Sequence, residues 1–103
     1  MRHISISDKQ YRVEANFNAI MAFMEAKGEK DIAFLTGELS LKDWTMLMIA
    51  SINEGERLDG KPHDLKLEDL GILSFMEVSK AVQEFIKVFS DQNAGDTDAA
   101  KKK

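Results

Sequence analysis

At 103 residues and a formal charge of −4, the chain has room for one domain and lacks the basic excess that duplex nucleic acid demands. It contains no cysteine, which removes disulfides, thiolate metal sites and a cysteine nucleophile together. No apolar run reaches the roughly 18 residues that span a bilayer, and "MRHISISDKQ" has no signal-peptide core, so the expected setting is the cytoplasm, with a protein as partner.

The first segment alternates. In "HISISD", Ile4 and Ile6 share one face and His3, Ser5 and Ser7 the other; "QYRVEANF" repeats the pattern with Tyr11 and Val13, and Asp8 is a turn former between them. This predicts a short β-hairpin over 3–14, which must pack on helices or pair with another chain because an isolated hairpin is marginal in water. Its open edge would allow a homo-oligomer. "NFNAIMAFMEAKG" then places Phe17, Ile20, Met21 and Met24 at helical spacing, with Asn16 as N-cap and Gly28 as stop, for a helix over about 16–27. "DIAFLTG" predicts a short helix over 31–36, with Ile32, Phe34 and Leu35 buried.

"LSLKDWTMLMIASINEG" carries the clearest start signal. Ser40 is the N-cap, Asp43 completes a capping box, and Leu39 and Trp44 are placed for a hydrophobic staple. The predicted helix runs over 41–55 and ends at Gly55. Trp44, Leu47, Met48 and Ile52 form its main stripe, yet Met46, Ile49 and Ala50 fill the other side. A helix apolar nearly all round is either central or has a second face committed to something else. "LEDLGIL" is a turn of helix at most. "SFMEVSKAVQEFIKVF" opens with a second capping box, Ser74 with Glu77, and puts Phe75, Val78, Ala81, Val82, Phe85, Ile86 and Phe89 on one face of a helix over 74–90. The remainder, 91–103, is polar and small, and is expected to be a disordered tail.

The expected fold is therefore mostly α: one domain over 1–90 of three to four helices behind a short N-terminal hairpin. Chemistry is harder to find in it. "GERLDGKP" has Gly, four residues, Gly and Lys, but Pro62 replaces the Ser or Thr of a phosphate-binding loop and removes an N–H as well. A calcium loop counted from Asp59 would need glycine where Asp64 stands. His63, Asp64 and Ser74 make the one conceivable catalytic set, on a loop without a glycine elbow. The carboxylate pairs Glu54/Glu56 and Glu68/Asp69 are read as solvated charge. Neither catalytic residues, nor a cofactor site, nor metal ligands are expected. The methionines offer more, since flexible thioether side chains suit surfaces that take varied apolar partners. Met24 and Met48 fall on core stripes. Met46 with Ile49, off the stripe, and more weakly Met76 are the candidate partner-binding residues.

The order of these features resembles a known family. "ISISDKQYRVEANFNAIMAFMEAKG" looks like the opening of bacteriophage tail assembly chaperones, with a short hairpin and an Asn- or Asp-led helix closing in Lys-Gly. "ELSLKDWTMLMIASINEGERLDGKP" is similar to that family's second main helix and the variable loop after it; "LKLEDLGIL" and the amphipathic "SFMEVSKAVQEFIKVF" are similar to its last segments. The likeness covers about Ile4 to Phe89. It implies a non-enzymatic helical protein of the host cytoplasm, absent from the finished virion, that binds the hydrophobic tape measure protein and recruits tail tube protein. Many such chaperones are made in two lengths by a programmed frameshift, for which A-rich Lys-Lys codons are a common slippery site, and "DAAKKK" is consistent with one. The alternative expectation is a small helical adaptor of a phage or mobile element, of tail completion or connector type.

Overall fold

The computed structural model describes residues 2–28 and 39–101, with side chains as far as Gln92. The short helix expected over 31–36, with Ile32, Phe34 and Leu35, lies outside the described residues.

The hairpin forms where the alternation places it. Strands β1 (His3–Ile6) and β2 (Lys9–Arg12) pair antiparallel, with Ile4 opposite Tyr11 and Ile6 opposite Lys9. Ser7 and Asp8 make the two-residue loop with φ of 50° and 70°, the positive values that a tight hairpin loop requires for its twist to match the strands. Ile4 and Ile6 point inward, and Val13 and Ala15 continue the buried side beyond β2.

Three helices cover that apolar face. Helix α1 spans Phe17–Lys27, α2 spans Leu41–Leu58, and α3 spans Phe75–Lys101. Each main start signal is a local hydrogen bond. The Ala19 N–H donates to Asn16 Oδ1 at 3.0 Å, and the Asp43 N–H donates to Ser40 Oγ at 3.1 Å while Asp43 Oδ2 accepts from the Ser40 N–H. Ser74 and Glu77 repeat the reciprocal pair at the head of α3. Changing Ser40 to alanine should lower the free energy of unfolding by about 1 kcal/mol in urea titration, with the slope unchanged.

Helix α2 is central. It packs against α1 on one side, α3 on another, and β2 across its C-terminal half. That position explains its nearly all-round apolarity: Leu47, Met48, Ile49 and Ile52 are all in the core, together with Phe23 from α1 and Ala81, Val82 and Phe85 from α3. Thr45 and Ser51, also buried, satisfy their hydroxyls by donating to Leu41 O (2.7 Å) and Leu47 O (2.9 Å). Trp44 closes the α2–α3 seam by edge-on contacts to Phe89 and Phe85, with ring centroids 5.5 and 6.4 Å away.

Four expectations change. The predicted stop at Gly55 is three residues early, for α2 runs on to Leu58. The left-handed residue that ends it is Gly60 (φ 73°), where the Gly60 N–H donates to Arg57 O and the Lys61 N–H reaches back to Glu56 O at 2.9 Å. Glu56, Arg57 and Leu58 are good helix formers, and Gly55 serves another purpose: the backbone of β2 crosses directly over it. Second, the buried face of α1 is Ala19, Phe23 and Met24, leaving Phe17 and Met21 exposed. Alanines let α1 approach α2 closely, and Asn16 and Asn18 both donate to Glu54 on α2, which sets the rotation of α1 about its axis. Third, Phe75 is exposed, because the packed part of α3 begins at Val78. Fourth, the helical backbone of α3 continues past the expected end at residue 90. No proline interrupts it, and Gln92 is tied down, its Oε1 accepting from the Ala15 N–H at 2.9 Å.

The hairpin edges are also less open than the alternation implies. On β1 the Ser5 N–H, turned away from β2, donates to Glu84 Oε1 of α3 at 2.6 Å. Beyond β2 the Glu14 N–H donates to Ser51 O of α2 at 3.0 Å. Each of these two N–H groups is thus bonded to one of the chain's own helices.

Candidate functional site

Between α1, α2 and the loop that follows α2 lies a groove of about 550 Å³. Its α2 wall is a single stripe, Met46, Ala50, Asn53 and Arg57, and its α1 wall is built on Ala22 and Ala26. The third wall is held by a two-point clamp: Asn53 Nδ2 donates to Leu65 O, and the Leu65 N–H donates to Asn53 Oδ1, both at 3.0 Å. A side-chain amide that satisfies a loop's N–H and C=O together substitutes for a strand partner and fixes that loop against the helix. His63 and Lys66 lie on this loop wall, and both are exposed.

Glu54 also lines the groove, with 6% of its surface exposed. Arg57 Nε and Nη2 donate to its two oxygens at 2.8 and 2.9 Å, and Asn16 Nδ2 and Asn18 Nδ2 donate at 2.9 and 3.1 Å. The Arg57 guanidinium, aided by the two amides and opposed by burial, holds this carboxyl down at about 2. Glu54 is thus a fully occupied anchor between α1 and α2, and not the solvated charge expected from its pairing with Glu56. One signal for it was legible: Glu54 follows Leu47 and Ser51 at helical spacing on the buried face, with Arg57 one turn ahead.

The sequence candidates divide between two places. Met46 and Ile49 come together in the groove, Met46 half-buried on its wall and Ile49, 7% exposed, as part of both its floor and the core. Met76 lies elsewhere, on α3, in a shallow depression with Lys80 and Gln83. Close to it in sequence are two more exposed apolar side chains, Phe75, which the stripe of α3 placed inward, and Ile72. Ile72 is 90% exposed, Phe75 68% and Met76 75%, three large side chains within five residues. Ile72 sits between helical elements, where no stripe includes it.

His63 and Ser74 each have another partner. His63 Nδ1 lies 3.1 Å from Lys61 O, while Ser74 Oγ is engaged with Glu77 at the α3 cap. "GERLDGKP" forms the last turn of α2 and its cap, so its N–H groups do not converge on a phosphate. Among the described residues, no group of three or more His, Asp or Glu is placed to hold a metal ion, and no helix is long and apolar enough to cross a membrane.

The architecture defines the chain as a small, mostly α-helical domain with an N-terminal antiparallel hairpin. The chain matches no protein-family profile, no curated protein and no solved structure.

Proposed function

We propose that this chain is a tail assembly chaperone of a long-tailed phage, which binds the apolar tape measure protein in the host cytoplasm and helps tail tube protein assemble around it. The observation that carries the reading is the Ile72–Phe75–Met76 patch. Three large apolar side chains left this open on a small acidic domain are a feature of surfaces made to be covered, and an apolar client helix is the partner whose burial they favour. The order of hairpin, Asn-capped helix and Ser-capped central helix over about Ile4 to Phe89 supports the same reading through its likeness to the family. No catalytic role is proposed, and the chain's part is to shield and release.

Co-expression tests this. A tape measure fragment that precipitates alone should appear in the soluble fraction with the wild-type chain, and should be lost from it with the double variant Ile72→Asp, Met76→Asp. Both positions are exposed, so these variants should keep the wild-type circular dichroism spectrum and midpoint of unfolding. A fragment equally insoluble with and without the chain would reject the reading.

A further inference from the structure

Helix α1 is held differently from the rest of the fold. The hairpin, α2 and α3 close on one another, α3 packing on β1 and α2, and β2 on α2, whereas the packing partner of α1 is α2. Its apolar grip is slight. Of its buried residues Ala19, Phe23 and Met24, Phe23 is the one that belongs to the common core, with half-buried Ile20 at the edge. Ala22 and Ala26 line, and do not fill, the groove shared with Met46 and Ala50. Polar bonds at the two ends make up for this. Near the start of α1, Asn16 and Asn18 donate to Glu54 at 2.9 and 3.1 Å, and at its end Lys27 Nζ donates to Asp43 Oδ1. The two carboxylates are eleven residues apart on α2, about 16 Å along its axis, so α1 is gripped at both ends.

We propose that α1 is a latched arm: it detaches from α2 and melts as a unit while the hairpin, α2 and α3 stay folded, with Glu54 and Asp43 as its two latches. The cost of a local opening follows the apolar surface and the bonds that a segment gives up, and α1 gives up one core side chain and the bonds at its ends. Detachment is also unfolding, because a helix of eleven residues is too short to persist by itself in water. The chain on either side is secured independently. The Ala15 N–H is bonded to Gln92 of α3, and Ser40 is locked into the capping box of α2. In the open form Met46, Ile49 and Ala50 lose α1 as their neighbour, so α2 presents an apolar face that the closed form keeps half-hidden. The latches set how often that face is uncovered. This device does not depend on the chaperone reading.

Native-state hydrogen exchange of the full chain, followed by NMR over a series of low urea concentrations, tests it. In the wild type, the amides of Phe23 and Met24 should open at least tenfold more often than those of Val82 and Phe85. Their opening should also have the shallower urea slope, because a partial opening exposes less surface than global unfolding. Two variants separate the local event from the global one. Val82→Ala removes core packing from α3, and should speed exchange at Phe85 about tenfold or more while leaving Phe23 and Met24 unchanged. Glu54→Gln weakens a latch, and should speed exchange at Phe23 and Met24 about tenfold. One common urea slope for α1 and α3, or a Val82→Ala variant that accelerates both helices equally, overturns the proposal, since α1 would then open only with the whole domain. Unchanged α1 exchange in Glu54→Gln overturns it as well, for the carboxylate would then be no latch. None of these readouts involves a client, so the proposal and the chaperone reading fail separately.

Discussion

Gly55→Ala should destabilise the domain by about 2 kcal/mol, although the position lies inside a helix, where that exchange ordinarily gains about 1 kcal/mol. The reversal of sign comes from β2. A β-carbon at Gly55 would lie 2.8 Å from the carbonyl carbon of Arg12, and closer still to its oxygen. The obstructing atoms are backbone, so no rotamer change relieves them. Either β2 lifts away from α2, stretching the Glu14 N–H bond to Ser51 O, or α2 bends. For a domain of this size the loss corresponds to a fall in melting temperature of roughly 8–16 °C, readable by calorimetry. Gly55→Val should cost more than Gly55→Ala, and an alanine variant that melts higher than wild type would show that β2 does not press on α2 at this point.

Glu54→Leu should cost about 3 kcal/mol, since it leaves Arg57 and both asparagine amides without the acceptor that holds α1 to α2. The same carboxylate gives stability a distinct dependence on pH. Its folded pKa, about 2, lies below the ordinary 4.5, so the folded state favours the ionised form. That contribution is complete above pH 4.5 and is lost as pH falls toward 2, a change of about 3 kcal/mol across the window. Asp43, held low beside Lys27, and Glu77, held low by Ser7 and the Ser74 cap, act in the same direction. The difference between wild type and Glu54→Gln therefore isolates the anchor. Urea midpoints measured from pH 7 to pH 2.5 should fall steeply for wild type below 4.5 and less steeply for Glu54→Gln. Parallel curves would mean that Glu54 titrates as an ordinary surface acid.

What could be read from the residues alone was what their near neighbours decide. Asn16, Ser40 and Ser74 cap helices through bonds to N–H groups three residues ahead, and Ile4 and Ile6 alternate inward because a strand gives them no other choice. The readings that changed all depend on chain far away in sequence. Phe17 and Met21 look like the natural core side of α1 until Glu54 draws Asn16 and Asn18 toward α2 and turns that side outward. Gly55 reads as a stop because the strand above it is more than forty positions earlier. The candidate site was partly legible for the same reason. Met46 stood out as apolar and off the main stripe of its helix, but the groove's third wall depends on a loop clamped by Asn53, and the exposed side chains near α3 include Ile72, which belongs to no periodic element.

The bonds that hold the hairpin also set an order of events on the ribosome. Ser5 waits for Glu84, Ser7 for Glu77, and Ala15 for Gln92, partners separated by 70 to 79 residues. Until α3 has been synthesised, β1 has an uncovered edge and the apolar side of the hairpin lacks Val82 and Phe85 to pack against. Local helices can form early, but closing so long a loop comes after them. A nascent chain stalled before Phe85 would hold an aggregation-prone ribbon without its cover, so α3 shields the hairpin made some seventy residues before it.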